Sequence, residues 1–201
     1  MNNETKDFFD RHAGRWDSYE KPEIIPVISA ILDRIGVSSG DSVLDVGCGT
    51  GILVPHLEKR GVKSMRAIDL SPEMVKEYLK KYPGRTVTAG DYEEPGLFPA
   101  ECFTKIIIFN AFPHFDRRAL VFDNSYNYLK PGGALYIVHS MSRAELDRHH
   151  RETGKEVAEH MLYSNAGFRR LYAGAGFENI AMDDGARFFS KGHKPPRPAG
   201  A

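Results

Sequence analysis

Cysteine is scarce in this chain of 201 residues: only Cys48 and Cys102 occur, with no paired metal-ligand spacing. A disulfide framework and a cysteine metal site are excluded, and both residues are expected to be free thiols. Net charge is also lacking, because 27 Lys+Arg residues balance 27 Asp+Glu residues. A neutral chain makes no electrostatic case for nucleic acid, and the basic clusters around Arg148 to Arg151 and at Arg169-Arg170 read as solvated helix faces. Long apolar runs are missing as well. No stretch approaches the roughly 20 residues that span a bilayer, and Met1 to Asp10 is charged where a secretion signal would be apolar. A cytoplasmic location with no membrane partner is the expectation. No internal repeat is visible, and the length suits one domain with a sizeable core.

What is present is an alternation of short apolar runs with helical periodicity. Strands are predicted at about 42–46, 64–69, 85–89, 104–110 and 133–139, and helices at about 52–60, 72–81 and 116–129. Strands and helices alternating at these lengths demand crossover connections and a parallel sheet covered on both faces. Ile106-Ile107-Ile108-Phe109 reads as its doubly buried central strand. Ahead of this pattern, Phe8, Phe9, His12, Trp16 and Tyr19 form one helical stripe over residues 5–19, and a helix over 27–35 is ended by Gly36. Behind it lie polar helical stretches at 143–151 and about 156–175. Phe177–Met182 and Arg187–Phe189 then flank Asp183-Asp184-Gly185, a hairpin turn signal. Leu129-Lys130-Pro131-Gly132-Gly133 reads as a helix stop and turn, and the Pro- and Gly-rich 191–201 as a flexible tail.

The densest signal is Val43-Leu44-Asp45-Val46-Gly47-Cys48-Gly49-Thr50-Gly51, an apolar strand carrying one acid that breaks into a glycine-rich turn before a helix. Such glycines let the backbone turn sharply and approach a ligand closely. The spacing is G-x-G-x-G, with Ile52 where a dinucleotide fingerprint has its third glycine. The run resembles motif I of class I S-adenosylmethionine-dependent methyltransferases. That resemblance, supported in order and spacing over about residues 5–190, implies an α/β, Rossmann-like three-layer sandwich, with a seven-stranded, mostly parallel sheet ending in an antiparallel hairpin. Residues 1–190 would then form a single domain, with 1–36 as an N-terminal lid and 140–175 as a helical insert over the acceptor pocket.

The same resemblance implies a site. Asp45, Gly47, Cys48, Gly49 and Gly51 would hold the amino-acid end of S-adenosylmethionine, with Asp45 either facing its ammonium or holding loop amides. Asp69, eighteen residues past Gly51, would accept both ribose hydroxyls beside Leu70. Its alternative role as a helix cap is better filled by Ser71, with Pro72 in the first helical position. Gly90-Asp91-Tyr92 resembles the adenine site, with Asp91 accepting from the exocyclic amine and Tyr92 packing on the ring. Asn110-Ala111-Phe112-Pro113-His114-Phe115 resembles the motif lining the sulfonium. It lacks the Asn/Asp-Pro-Pro-aromatic pattern of enzymes that methylate the amino groups of DNA bases.

Residues 8–19 resemble the F-F-D-x-x-A-x-x-W-D segment of small bacterial relatives, so Trp16 and Tyr19 would close on the cofactor, unless the helix packs permanently on the sheet. His114 and His139 follow strand ends and are candidate catalytic bases or acceptor contacts. With His150 and His160 they could converge on a metal or corrinoid-type acceptor, although no bound metal is predicted. The function implied is in-line methyl transfer to a small-molecule acceptor by a monomer or homodimer. The rivals are an NAD(P)-dependent oxidoreductase and a non-catalytic S-adenosylmethionine-binding protein.

Overall fold

A computed structural model describes residues 3–153 and 161–198, with backbone alone for residues 149–153. A seven-stranded sheet has the order β3-β2-β1-β4-β5-β7-β6. Its strands are β1 (Ser42–Val46), β2 (Ser64–Asp69), β3 (Thr86–Ala89), β4 (Phe103–Phe109), β5 (Leu129–Val138), β6 (Glu178–Asp184) and β7 (Phe188–His193). The first five pair in parallel, and β7 enters antiparallel between β5 and β6. The predicted sheet and terminal hairpin are both found.

Helices α1 (Asn3–His12), α2 (Ile24–Ile35), α3 (Val54–Lys59), α4 (Pro72–Lys81), α5 (Arg118–Tyr128), α6 (Arg143–Thr153) and α7 (Asn165–Gly174) cover the sheet. The pleat sends Leu44, Val46, Ile106 and Ile108 toward Phe122 and Tyr128 of α5 and Phe168 and Tyr172 of α7. Val43, Ile107 and Phe109 point the other way, toward Ile28 and Leu32 of α2 and Leu57 of α3. The central strand β4 is therefore buried on both faces, and each fully buried Ile contributes about 1.5–3 kcal/mol. Helix α4 begins as its sequence demands, since Ser71 Oγ accepts from the Met74 amide at 3.0 Å and Pro72 follows. No helix among the described residues is long and apolar enough to cross a membrane.

Four boundaries differ from the sequence reading. Residues 5–19 are not one helix: α1 stops at His12 and Ala13–Tyr19 forms a 3-10 segment, because Gly14 weakens continued α-helix. Leu129 to Gly133 belongs to β5, with Leu129 opposite Phe103 and a register shift before Lys105 resumes pairing. Gly132 holds φ 80° in that irregularity, a conformation the turn signal reported without its strand context. The presumed tail is strand as far as His193, and beyond it the Lys194 amide donates to the Gly133 carbonyl at 2.8 Å. Backbone pairing depends little on side-chain polarity, which is why a polar stretch can complete a ladder. The helix predicted from 156 begins at Asn165 among the described residues.

Candidate functional site

Strand order reverses between β1 and β4, and crevices at the carboxyl ends of such strands are where open α/β sheets take ligands. The loop after β1 is anchored there by backbone bonds. Gly47 and Cys48 donate their amides to the Ile68 carbonyl at 2.9 and 3.2 Å. The Gly49 amide donates to Asp69 Oδ2 at 2.8 Å, and the Ser71 amide to Asp69 Oδ1 at 2.9 Å. Gly47 has φ 68°, and a methyl group there would meet Cβ of Ala111 at 2.5 Å. Gly51 has φ 91°, and a methyl group would lie 2.8 Å from the Tyr78 ring. The glycine pattern is thus a packing requirement on both flanks of the loop.

Two carboxylates lie under this loop. Asp45 pairs opposite Ala67, so the pleat places it and Asp69 on the same face. Asp45 is 2% exposed, and its Oδ2 has no hydrogen-bond partner among the described residues. Burial, then the neighbouring Asp69 charge, pushes its carboxyl up to about 7. Asp69 is pushed up to about 6 by burial, an effect its bonds from the Ser71 and Gly49 amides oppose. A buried, orphaned carboxylate oxygen is costly unless a cation or donor meets it. The donor set here suits an ammonium above Asp45 and hydroxyl donors at Asp69, whose oxygens each retain lone-pair capacity beyond one amide bond.

The other predicted residues divide into two groups. Trp16 lies on the loop, its Nε1 3.6 Å from where a Cβ on Gly49 would stand. Tyr19 is half exposed, its ring 6.1 Å from that of Trp16. Leu70 follows Asp69 at the crevice rim, and the Gly90 amide donates to the Asp69 carbonyl at 2.9 Å, tying the ends of β2 and β3 together. Asp91 Oδ1 accepts from the Glu93 amide at 2.9 Å, and Oδ2 lies 3.4 Å from the Arg117 guanidinium. Asn110, in a left-handed conformation at φ 54°, accepts from the Ser140 amide at 2.8 Å and joins the ends of β4 and β5. The ring of His114 stands 5.2 Å from that of Phe9.

Tyr92 and His139 turn away from this group. Tyr92 is 2% exposed within the α5-side core, with its hydroxyl 3.0 Å from Ser125 Oγ, so it anchors the loop from beneath instead of presenting a ring surface. His139 is 1% exposed and packs against Phe188 at 6.2 Å, and its amide extends the ladder to the Phe188 carbonyl. His114 and His139 therefore pack against different partners, and no group of three or more metal-ligating side chains forms among the described residues. His160 lies outside the described residues and His150 is described by backbone alone.

Sequence reasoning named Phe9 only as part of the aromatic stripe and missed Asp10 and Asp17, although F-F-D and W-D were conspicuous. It also missed Arg118, which donates to the carbonyls of Phe115, Pro113 and Met161 at 2.9, 2.8 and 2.9 Å. Its guanidinium lies over the Tyr163 ring at 4.5 Å, so it braces the turn carrying His114. We predict that Arg118→Lys, which cannot serve three carbonyls from a planar fork, lowers stability by about 1–2 kcal/mol in urea denaturation; an unchanged midpoint would contradict the brace.

A family described as "Methyltransferase domain" matches residues 44–137, from the first strand through most of the fifth. The ubiquinone biosynthesis O-methyltransferase of Xylella fastidiosa is 31% identical over 139 residues, covering 62% of this chain and 54% of that protein. The match thus spans about half the length of that relative. The uncharacterized methyltransferase YdaC of Bacillus subtilis is 30% identical over 152 residues, covering 74% of this chain and 78% of YdaC. A SAM-dependent methyltransferase of Aquifex aeolicus superposes with a TM-score of 0.70 at 20% identity, over 90% of this chain and 97% of that one. At that identity the likeness is one of fold.

Proposed function

The chain belongs to the class I S-adenosylmethionine-dependent methyltransferase family, and on that premise we propose that it transfers a methyl group to a small-molecule acceptor bound beside Asn110 and His114. The observation that carries the reading is the orphaned, buried Oδ2 of Asp45 beneath a glycine loop at the sheet's switch point. When bound, S-adenosylmethionine supplies a methyl carbon on a positively charged sulfur that is open to in-line attack. Asp45 faces the ammonium of the amino-acid end, the 47–51 loop lies along it, and Asp69 receives the ribose hydroxyls. Asp91 receives the adenine amine. Asn110, locked to Ser140, sets the edge between donor and acceptor, and alignment there contributes most of what the chemistry needs. His114 contacts the acceptor and takes its proton where that proton is still present at neutral pH. His139 forms part of the wall beneath.

Calorimetry tests the donor directly. S-adenosylhomocysteine is expected to bind and NADH not to; binding of NADH alone would sink the proposal. Turnover with a panel of thiol, amine and phenol acceptors tests the acceptor class, and tight binding without turnover would favour a non-catalytic protein.

A pH dependence follows from Asp45. An unfolded Asp titrates near 3.9, whereas the folded group titrates at about 7. Below the unfolded value the carboxyl is protonated in both states, and its stabilising contribution is present in full. That contribution is lost as the pH rises through about 7. An ammonium partner favours the ionised form, so binding releases a proton and affinity rises from pH about 5.5 to about 7.5, by at most about tenfold per unit for one group. Titrations of S-adenosylhomocysteine in buffers of different ionisation enthalpy measure the proton released, and Asp45→Asn should remove the upper part of the rise, leaving the part that belongs to Asp69, whose carboxyl is pushed up to about 6. A wild-type profile that is already flat would contradict the ammonium assignment.

A further inference from the structure

The N-terminal segment carries two aromatic–acid pairs, Phe9-Asp10 and Trp16-Asp17, seven residues apart. Their rings bridge the crevice. Trp16 rests on Gly49 after β1, and Phe9 meets Trp16 edge-on at 5.4 Å and His114 after β4 at 5.2 Å. The acids reach the opposite rim, at the two ends of α4. Asp10 Oδ1 accepts from Ser71 Oγ at 2.5 Å and from the Glu73 amide at 3.5 Å in the first turn, while Lys6 holds its Oδ2 at 2.6 Å. Asp17 accepts from Thr50 Oγ1 at 2.5 Å and from Lys81 Nζ at 2.8 and 2.9 Å, at the last residue of α4. The strap is thus fastened at both ends of α4.

We propose that Asp10 and Asp17 are positioning residues that latch Phe9 and Trp16 over the crevice, and that unlatching limits the exit of the spent cofactor. This rests on the crevice being the S-adenosylmethionine site. The two latches differ in character. The Asp17–Lys81 pair crosses from the strap to α4 and is open to solvent, with Asp17 51% exposed, whereas the Asp10 side chain is 21% exposed, keeps its ion pair with Lys6 inside α1, and reaches α4 only through a neutral hydroxyl and an amide. Dissolved salt screens the first far more than the second. Release should therefore quicken with ionic strength, and the salt response should reside in Asp17.

Trp16 is the only tryptophan of the chain, so its fluorescence reports the strap without labelling. Stopped-flow displacement of S-adenosylhomocysteine, followed at Trp16, should show release accelerating with NaCl in the wild type. In Asp17→Asn, release should be about fivefold faster at low salt and insensitive to added salt. Joining Asp17→Lys with Lys81→Asp should restore both the slow rate and its salt response, which a loss of folding could not do. Equal rates and equal salt responses in wild type and Asp17→Asn would overturn the latch while leaving the cofactor site intact. Failure of the wild type to bind S-adenosylhomocysteine in calorimetry would remove the site itself, and the latch with it.

Discussion

Asp69→Ala is expected to weaken S-adenosylhomocysteine binding by about a hundredfold or more, equivalent to about 2.7 kcal/mol. The side chain acts twice. Its two oxygens accept the Gly49 and Ser71 amides, fixing the glycine loop to the start of α4, and under the proposed reading they also receive a vicinal diol. Alanine strips the acceptors from both amides, and an unsatisfied buried amide costs about 1–3 kcal/mol. The apo protein should lose less stability than that sum, because the carboxyl is pushed up to about 6 by burial and its charge is itself a burden near neutral pH. Calorimetry gives the affinity and thermal melting the stability. Asp69→Asn, which keeps one acceptor oxygen, should fall between alanine and wild type. An alanine variant that binds as the wild type does would remove Asp69 from the site.

Gly47→Ala is expected to destabilise the fold by about 2–5 kcal/mol, the sum of a left-handed backbone penalty of about 1–2 kcal/mol and an overpacking penalty of about 1–3 kcal/mol. The added methyl would meet Ala111 Cβ at 2.5 Å, and Ala111 sits in the turn that carries His114. The two costs can be separated. Ala111→Gly in the same chain removes the collision and leaves the φ of 68° unrelieved, so the double variant should recover about half of the loss. Urea midpoints measure each variant. A double variant no better than the single one would show that the first loop and the turn after β4 are not in contact, and that the donor and acceptor sides are built independently.

Much of this was visible in the chain because strands and their ends are local features. Ile106 to Phe109 could only be buried on both faces, and Asp45 and Asp69 were legible because each interrupts or closes an apolar run. Ser71 and Pro72 announced α4 in the same local way. Other residues were not legible because their partners are distant: Asp10 meets Ser71 across 61 positions and Asp17 meets Lys81 across 64. Tyr92 misled because a loop residue after a strand has no periodicity to reveal its direction, and only the position of Ser125 shows that it points inward. Arg118 resembled any basic residue opening a helix until three carbonyls converged on it. The strand at Leu129 was hidden by glycines that look like a turn but accommodate a bulge.

The antiparallel strand β7 has a bearing on how the molecule is made. It is the last strand among the described residues, yet it lies inside the sheet and pairs Val138 with Phe189 and Ala134 with His193. During synthesis, the β5 edge and the face of Phe168 and Tyr172 stay uncovered until Phe188 has left the ribosome. An uncovered edge of this kind is a template for unwanted pairing. Released chains truncated before Phe188 should therefore be sensitive to protease and prone to chaperone capture, whereas chains that include Phe188–His193 should close the sheet.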